Sequence, residues 1–575
     1  MKIKKIKSAS NAYKYPLLIK RILADSLKYE PTHEIFYKDI FKMNYYELND
    51  RVRQMAHVLK KLNIKGGQTI GFLDYDSHRF LEGFFAIPMT GNVLHTINWR
   101  LSEEQILYTI NHAEDSLLIV HEDFLPLLNT IWDKITTIQK IIVCSDTNVN
   151  VGEVFNLADV KFADVKFKHK IVGNYEDLLK KESKQYDFPD FDEDAVATTF
   201  YTTGTTGNPK GVYFTHRQLV LHTLANAAMY GGALDKCFAN FNSSTVFLGL
   251  TPFFHVHGWG FPYYATMIGA HQVYAGRFSI ETFVQLFQKH KPTLTTGVPS
   301  ILQMFLSSPL TADFDFSKMK MLIGGSALSS KLAKQALERG IDILSGYGMS
   351  ESAPMLCASY LNSENAKTMD LDTQAKYRTI AGLPAFFVET KIIDVHGKDV
   401  PNDGESIGEI VTRAPWLTQG YYKEPEQSET LWKSGWMHTG DVATIDANGF
   451  VTISDRIKDV IKTGGEWVSS IDIERLISKH ESVYEVAVIG LPDDKWGERP
   501  YAMIALSEGS VLSTETLKTF LEDFIASGTI HKWAIPNKIF FEKELPKTSV
   551  GKVDKKQIRV MVQAKIVGTG RDLSS

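Results

Sequence analysis

Ala195-Val196-Ala197-Thr198-Thr199-Phe200-Tyr201-Thr202-Thr203-Gly204-Thr205-Thr206-Gly207-Asn208-Pro209-Lys210-Gly211 is the stretch from which the rest of the chain can be read. Its apolar opening predicts a buried strand, and the residues from Thr215 onward predict a helix. Between them, glycines let backbone N–H groups curl round an anion. The hydroxyls of Thr202, Thr203, Thr205 and Thr206 add donors, and Lys210 adds a positive charge. A loop of this chemistry suits a polyphosphate. It is not a Walker A loop, because GxxxxGK counted from Gly204 requires glycine at 209, where Pro209 stands.

Upstream of the loop the sequence alternates helical and strand patterns. Tyr45 to Leu62 places Leu48, Val52, Met55, Ala56, Leu59 and Leu62 at helical spacing. Gln68 to Leu73, Leu117 to Val120 and Lys140 to Cys144 read as short buried strands. Strands separated by helices predict α/β architecture with doubly wound, parallel sheets. From about residue 385 the texture changes to short strands and polar turns, Val388 to Ile393 and Glu409 to Thr412, which predict a small antiparallel, β-barrel-like unit. Val442 to Ile445 and Phe450 to Ile453 then predict a hairpin, with Asn448-Gly449 signalling a type I′ turn. The charged break Asp455-Arg456-Ile457-Lys458-Asp459 marks a boundary between residues 1–457 and 458–575. The second part mixes helices (Asp472 to Ser478, Thr514 to Ala526) with strands (Val486 to Ile489, Met503 to Leu506), an α+β pattern. At 575 residues the chain exceeds what one hydrophobic core organises, in keeping with that division.

Composition excludes several classes. A net charge of −4 offers no basic face for nucleic acid. Cys144, Cys237 and Cys357 are distant and odd in number, which argues against a disulfide framework and for a reducing cytoplasm. The basic opening MKIKKIKSAS is not followed by an apolar stretch of signal-peptide length before Lys20 and Arg21. From Cys237 to Gly276 there is no Asp, Glu, Lys or Arg. Prolines, glycines and histidines in that segment would be unsatisfied in lipid, so a buried aromatic wall is expected there, not an integral membrane segment.

YTTGTTGNPKGV resembles the phosphate loop of the acyl-adenylate-forming superfamily, and four further segments resemble its motifs in order. These are Gly346-Tyr347-Gly348-Met349-Ser350-Glu351, His438-Thr439-Gly440-Asp441, the hinge Asp455 to Asp459 with Lys462-Thr463-Gly464-Gly465-Glu466-Trp467, and Pro546 to Lys552. The resemblance implies a large N-terminal domain with the ATP and acyl sites and a small mobile C-terminal domain that rotates about Lys458. It implies that Thr202, Thr203, Gly204, Thr205, Thr206, Gly207 and Lys210 hold phosphates, with Gly325, Ser326, Tyr347, Gly348 and Ser350 bordering the nucleotide. Glu351, a hard oxygen ligand, and Thr202 would meet Mg²⁺. Asp441 would accept hydrogen bonds from the ribose, with Arg456 assisting. Lys552 would be the catalytic cation as a carboxylate attacks the α-phosphorus. No general base is required, since the carboxylate is ionised at neutral pH.

Pro252-Phe253-Phe254-His255-Val256-His257-Gly258-Trp259 is similar to a stretch of the fatty acyl-CoA synthetase branch, as are Asn92 to Leu101 and Ile110 to Asp115. The resemblance implies that His255 lines the reacting centre and that Trp259 gates the acyl tunnel. It further implies that Gly464 and Gly465 border the coenzyme A tunnel, with Lys462 and Trp467 approaching the adenylate after rotation. Ser350 stands where threonine is usual, His257 where asparagine is more common, and Gly231 to Ser244 reads as an insertion. The expected enzyme is a cytoplasmic ligase that adenylates a medium- or long-chain fatty acid with ATP and transfers it to coenzyme A. Three other readings stay open within the superfamily: a ligase for a short or hydroxylated acid such as a hydroxybutyrate, an adenylation enzyme serving a carrier protein, and a luciferase-like oxygenase. A silent nucleotide- or acyl-binding protein is disfavoured by the presence of both Glu351 and Lys552. The resemblance also admits a homodimer.

Overall fold

The computed structural model describes residues 3–147, 165–202, 208–232, 240–361, 363–463, 466–527, 530–548 and 551–568. Two large sheets dominate. The first has seven strands in the order Ile171–Asn174, Lys140–Cys144, Asp115–His121, Thr69–Leu73, Val93–Thr96, Val196–Thr202, Lys210–Thr215, all parallel except the last pair. The second has nine strands around a parallel centre, including Val246–Gly249, Leu294–Gly297, Lys320–Ile323 and Asp342–Gly348. Asp115–His121 is buried at every position, as expected of a strand covered on both faces. Helix His78–Met89 is buried along its whole length and packs against strands of both sheets, so it is the layer between them.

Local chemistry sets the element ends. Helix Tyr45–Lys61 starts on a capping box in which Asn44 and Glu47 satisfy each other's backbone N–H. Helix His216–Tyr230 does the same with Thr215 and Gln218. The predicted helix after the phosphate-binding loop is therefore present, but the strand Lys210–Thr215 precedes it. The strands on either side of the loop pair antiparallel.

The smaller antiparallel unit is a four-stranded sheet: Glu389–Ile393, Gly408–Arg413, Met437–Ile445, Val451–Arg456. Its last hairpin is not the predicted type I′ turn. Gly449 alone has positive φ (85°), the Asp446 side chain accepts from the N–H groups of Asn448 and Phe450, and Gly449 N–H bonds to Asp446 O. Asp446 thus fixes a tight turn followed by one left-handed glycine, the three-residue alternative to the two-residue hairpin.

After Arg456 the chain leaves that sheet, and the next strand, Ile461–Thr463, belongs to another. That sheet holds Glu466–Val468, Gly497–Leu506 and Val483–Asp493, with Lys538–Glu542 added in parallel. Among the described residues, its two apolar clusters begin at Ile461 and share no member with those of the large sheets. Helices Ser470–Ile477 and Thr514–Ala526 lie where the sequence predicts them, within two residues at each end. No helix among the described residues is long and apolar enough to cross a membrane. The described part of the uncharged segment, from residue 240, is folded into strands Val246–Gly249 and His271–Tyr274 and helix Phe261–Met267, with its aromatic side chains buried.

Candidate active site

A cleft of about 2000 Å³ opens where several strands of the large sheets end, a common ligand position in open α/β sheets. Thr202 closes strand Val196–Thr202 and pairs in register with Lys210, so both reach the cleft from one hairpin. Ile323 ends strand Lys320–Ile323 of the nine-stranded sheet and delivers Gly325 and Ser326. Tyr347 and Gly348 end Asp342–Gly348, and a short turn follows with Ser350 and Glu351. Asp441 and Arg456 face each other across two strands of the small sheet. From the C-terminal unit, a turn closed by Gly551 N–H to Thr548 O (2.9 Å) presents Lys552.

The polar groups interlock. Tyr347 Oη donates to Asp441 Oδ2 at 2.8 Å, and Arg456 Nε lies 3.4 Å from Asp441 Oδ1. Burial raises the Asp441 carboxyl, with Arg456 and Tyr347 opposing it. Tyr421 Oη donates to Glu351 Oε1 at 2.6 Å, and Lys210 Nζ stands 4.7 Å from the centre of the Tyr421 ring. Glu351 is also raised by burial, with Tyr421, Lys210 and Arg456 pulling the other way. Among the described residues no three His, Cys, Asp or Glu side chains gather as a metal cage. A buried carboxylate held at Oε1 by Tyr421 fits Mg²⁺, which is bound by one or two carboxylates together with substrate phosphates.

Lys552 lies against Gly325: a Cβ there would come within 3.1 Å of Lys552 Cε and 3.7 Å of Nζ. Burial first, then the charge of Arg456, bring the Lys552 ammonium down to about 8, against the pull of Asp441 and Glu351. His255 also lines the cleft. Burial, followed by the charges of Lys552 and Arg100, lowers it to about 3, so its imidazole is neutral. Lys458 borders the same space, lowered by burial and then by Arg456.

The aromatic wall is held by an unusual backbone. Val256, His257, Gly258, Trp259 and Gly260 all have positive φ, from 49° to 74°, a left-handed turn that costs L-residues about 1–2 kcal/mol each. It throws the Trp259 indole across Gly324, where an added Cβ would meet the ring at 2.9 Å. Trp259 is 7% exposed and covers the Gly324 turn without lining the open cleft. His257 points away from the cleft, into the rings of Phe84, Phe200, Phe214 and Tyr263, and burial lowers it to about 3. It belongs to the packing between the sheets, so its polarity is not a feature of the open cleft.

The structure thus gathers Thr202, Lys210, His255, Gly325, Ser326, Tyr347, Gly348, Ser350, Glu351, Asp441, Arg456, Lys458 and Lys552 around one space. It does not bring Lys462 there. That side chain is exposed on strand Ile461–Thr463, whose backbone N–H at Lys462 donates to Glu498 Oε2 at 2.8 Å. Thr203, Gly204, Thr205, Thr206, Gly207, Gly464 and Gly465, the Trp467 side chain and positions 233–239 lie outside the described residues. Sequence reasoning missed Tyr421, which sits 70 positions from its partner Glu351 with no spacing to link them. It also missed Asp76, a buried carboxylate whose Oδ1 accepts from the Phe253 N–H at 2.7 Å and so anchors the segment bearing Phe254 and His255.

The chain is similar to known proteins over most of its length. The profile of the AMP-binding enzyme family matches residues 23–422, and that of the AMP-binding enzyme C-terminal domain matches residues 472–552. The chain is 34% identical over 551 residues to a 3-methylmercaptopropionyl-CoA ligase of Ruegeria lacuscaerulensis, covering 95% of this chain and 97% of that protein. It is 35% identical over 526 residues to a long-chain-fatty-acid–CoA ligase of Thermus thermophilus, covering 91% and 90%. The fold is that of an anthranilate CoA ligase solved in complex with anthranoyl-AMP, with a TM-score of 0.80, 23% identity and coverage of 96% and 99%. With one profile spanning the large sheets and the other the unit that supplies Lys552, the chain belongs to the AMP-binding enzyme family.

Proposed function

We propose that this chain is an ATP-dependent, AMP-forming acid–CoA ligase acting on a medium- or long-chain fatty acid, with Lys552 as its adenylation cation. The observation that carries the reading is the placement of Lys552 against Gly325, in one cleft with Glu351, Asp441 and the Thr202–Lys210 hairpin. In the first step the acid's carboxylate oxygen bonds to the α-phosphorus of ATP while the bond to pyrophosphate breaks. Negative charge builds on the transferring and leaving oxygens, and the Lys552 ammonium lies where it would offset that charge. Asp441, steadied by Tyr347 and Arg456, accepts from the ribose hydroxyls. Glu351, with Thr202 beside it, would hold Mg²⁺, which when bound would neutralise charge on the phosphates. In the second step the coenzyme A sulfur bonds to the acyl carbonyl carbon, the acyl–phosphate bond breaks, AMP leaves and the thiol proton is released to solvent.

The neutral His255 borders the reacting acyl group without adding charge beside Lys552. The division at 457/458 fits the change of sheet and the separate apolar clusters on either side of it. Rotation about Lys458 would exchange Lys552 for the Lys462–Trp467 segment, with Gly464 and Gly465 facing coenzyme A. A reducing cytoplasm suits the free, buried Cys144 and Cys357, and a homodimer is part of the same reading, tested by light scattering.

The aromatic wall favours an alkyl chain. One observation favours a shorter acid: the indole of Trp259 is shut against Gly324, so a long chain requires it to swing. The relatives named above serve both a short thioether acid and long-chain fatty acids by their names. Pyrophosphate release across acetate to palmitate, 3-methylmercaptopropionate and hydroxybutyrates, with coenzyme A present, tests the reading. Highest kcat/KM at eight carbons or more is expected, and a maximum at four carbons or fewer would transfer the assignment to a short acid.

A further inference from the structure

We infer that Tyr421 is a positioning residue that sets Glu351 toward Mg²⁺ with its hydroxyl and Lys210 toward the nucleotide phosphates with its ring. The inference rests on the ATP site proposed above and deepens it. Two contacts from one side chain carry it. Tyr421 Oη donates to Glu351 Oε1 at 2.6 Å, which fixes one oxygen of the carboxylate. Lys210 Nζ lies 4.7 Å from the ring centre, over the π-face.

The backbone around Tyr421 shows why one residue reaches both. Tyr421 bridges Val212 as an isolated antiparallel pair, and Tyr422 N–H bonds to Gly211 O at 2.8 Å. On the other side, Thr418 N–H bonds to Glu351 O at 2.9 Å. The segment from Thr418 to Tyr422 therefore laces the exit of the phosphate-binding hairpin, in the seven-stranded sheet, to the turn that follows the strand ending at Gly348 in the nine-stranded one. Lys210 is on a strand of the seven-stranded sheet and Glu351 is in the turn that leaves the nine-stranded one, and the Tyr421 side chain touches both. A carboxylate held through one oxygen keeps a fixed direction for the other. That saves the rotamer freedom a lone glutamate would lose on meeting a metal.

The test separates the hydroxyl from the ring. Tyr421→Phe removes only the donor, and Tyr421→Ala removes both contacts. Calorimetric ATP binding without acid or coenzyme A, in Mg²⁺ and in EDTA, is the primary readout, with ATP–pyrophosphate exchange at varied Mg²⁺ as the second. Tyr421→Phe is expected to raise the Mg²⁺ needed for half-maximal exchange about ten-fold, the loss of one hydrogen bond to a charged group. It should leave ATP binding in EDTA and the KM for the acid unchanged. Tyr421→Ala should in addition weaken ATP in EDTA, because Lys210 loses its support. On a Glu351→Gln background, Tyr421→Phe should add nothing further to the Mg²⁺ requirement. A wild-type Mg²⁺ requirement in Tyr421→Phe, or an equal loss with and without Mg²⁺, would overturn the inference. Wild-type enzyme that binds ATP yet exchanges no pyrophosphate with any acid would instead count against the adenylation reading, while the two binding arms still decide the role of Tyr421.

Discussion

Two lysines of the C-terminal unit stand in opposite circumstances. Lys552, on the turn from Thr548, is packed over Gly325 among Asp441, Glu351 and Arg456, and is pushed down to about 8. Lys462, on strand Ile461–Thr463, is exposed and borders no part of the cleft. In this structure the C-terminal unit presents Lys552 to the cleft and not Lys462. A two-step reaction can use such a body by presenting one lysine for acyl–phosphate bond formation and the other segment for thioester formation. The link is short: Asp459 and Val460 donate their N–H groups to Arg456 O, which leaves Lys458 between the two sheets. A turn of that kind can absorb a rotation with few φ/ψ changes.

The largest expected effect breaks the pair apart. Lys552→Ala should reduce ATP–pyrophosphate exchange by a factor on the order of 10² to 10³ while sparing thioester formation from supplied acyl-AMP. Equal loss in both assays would remove the division of labour. Lys462→Ala should do the reverse, keeping exchange and slowing the thioester step. Next comes the acid–base consequence. The folded-state Lys552 is lowered, and its protonated form does the work, so kcat/KM for ATP should fall as pH rises through about 8. A profile flat to pH 9.5 in wild-type enzyme would contradict the buried placement.

Asp76→Ala leaves the Phe253 N–H unpaired in the core, at a cost of about 1–3 kcal/mol, and should raise the KM for the acid through His255 and Phe254. Asp76→Asn, which still accepts, should recover most of that loss. The smallest expected effect is at the wall. Gly324→Ala drives a Cβ to 2.9 Å from Trp259, and should shift the preference between short and long acids with little change in exchange for the best one. Unchanged chain-length preference would disconnect the indole from the acyl path.

Much of this molecule is legible in the sequence because its strands and caps are local. Lys140–Cys144 and Thr514–Ala526 are read residue for residue from their sequence patterns. Glu351, Asp441 and Lys552 are legible for another reason: each lies in a short ordered segment resembling one family. What escaped is non-local. The strand Lys210–Thr215 exists because it pairs with Val196–Thr202, and Tyr421 matters through a partner 70 positions away. Asn448-Gly449 misled because the Asp446 side chain, which takes two backbone donors, decides the turn. The left-handed run from Val256 to Gly260 has no local signal at Val256 or Trp259, residues that avoid positive φ unless packing imposes it.

The central claim is that the acid is activated on the α-phosphate of ATP before it reaches coenzyme A. Turnover of a fatty acid labelled with ¹⁸O in its carboxylate tests it directly, with AMP, pyrophosphate and acyl-CoA analysed by mass spectrometry. The account predicts one ¹⁸O in the AMP phosphate, none in pyrophosphate, and AMP equal in amount to acyl-CoA. Unlabelled AMP, label in pyrophosphate, or AMP release that ignores coenzyme A would contradict it.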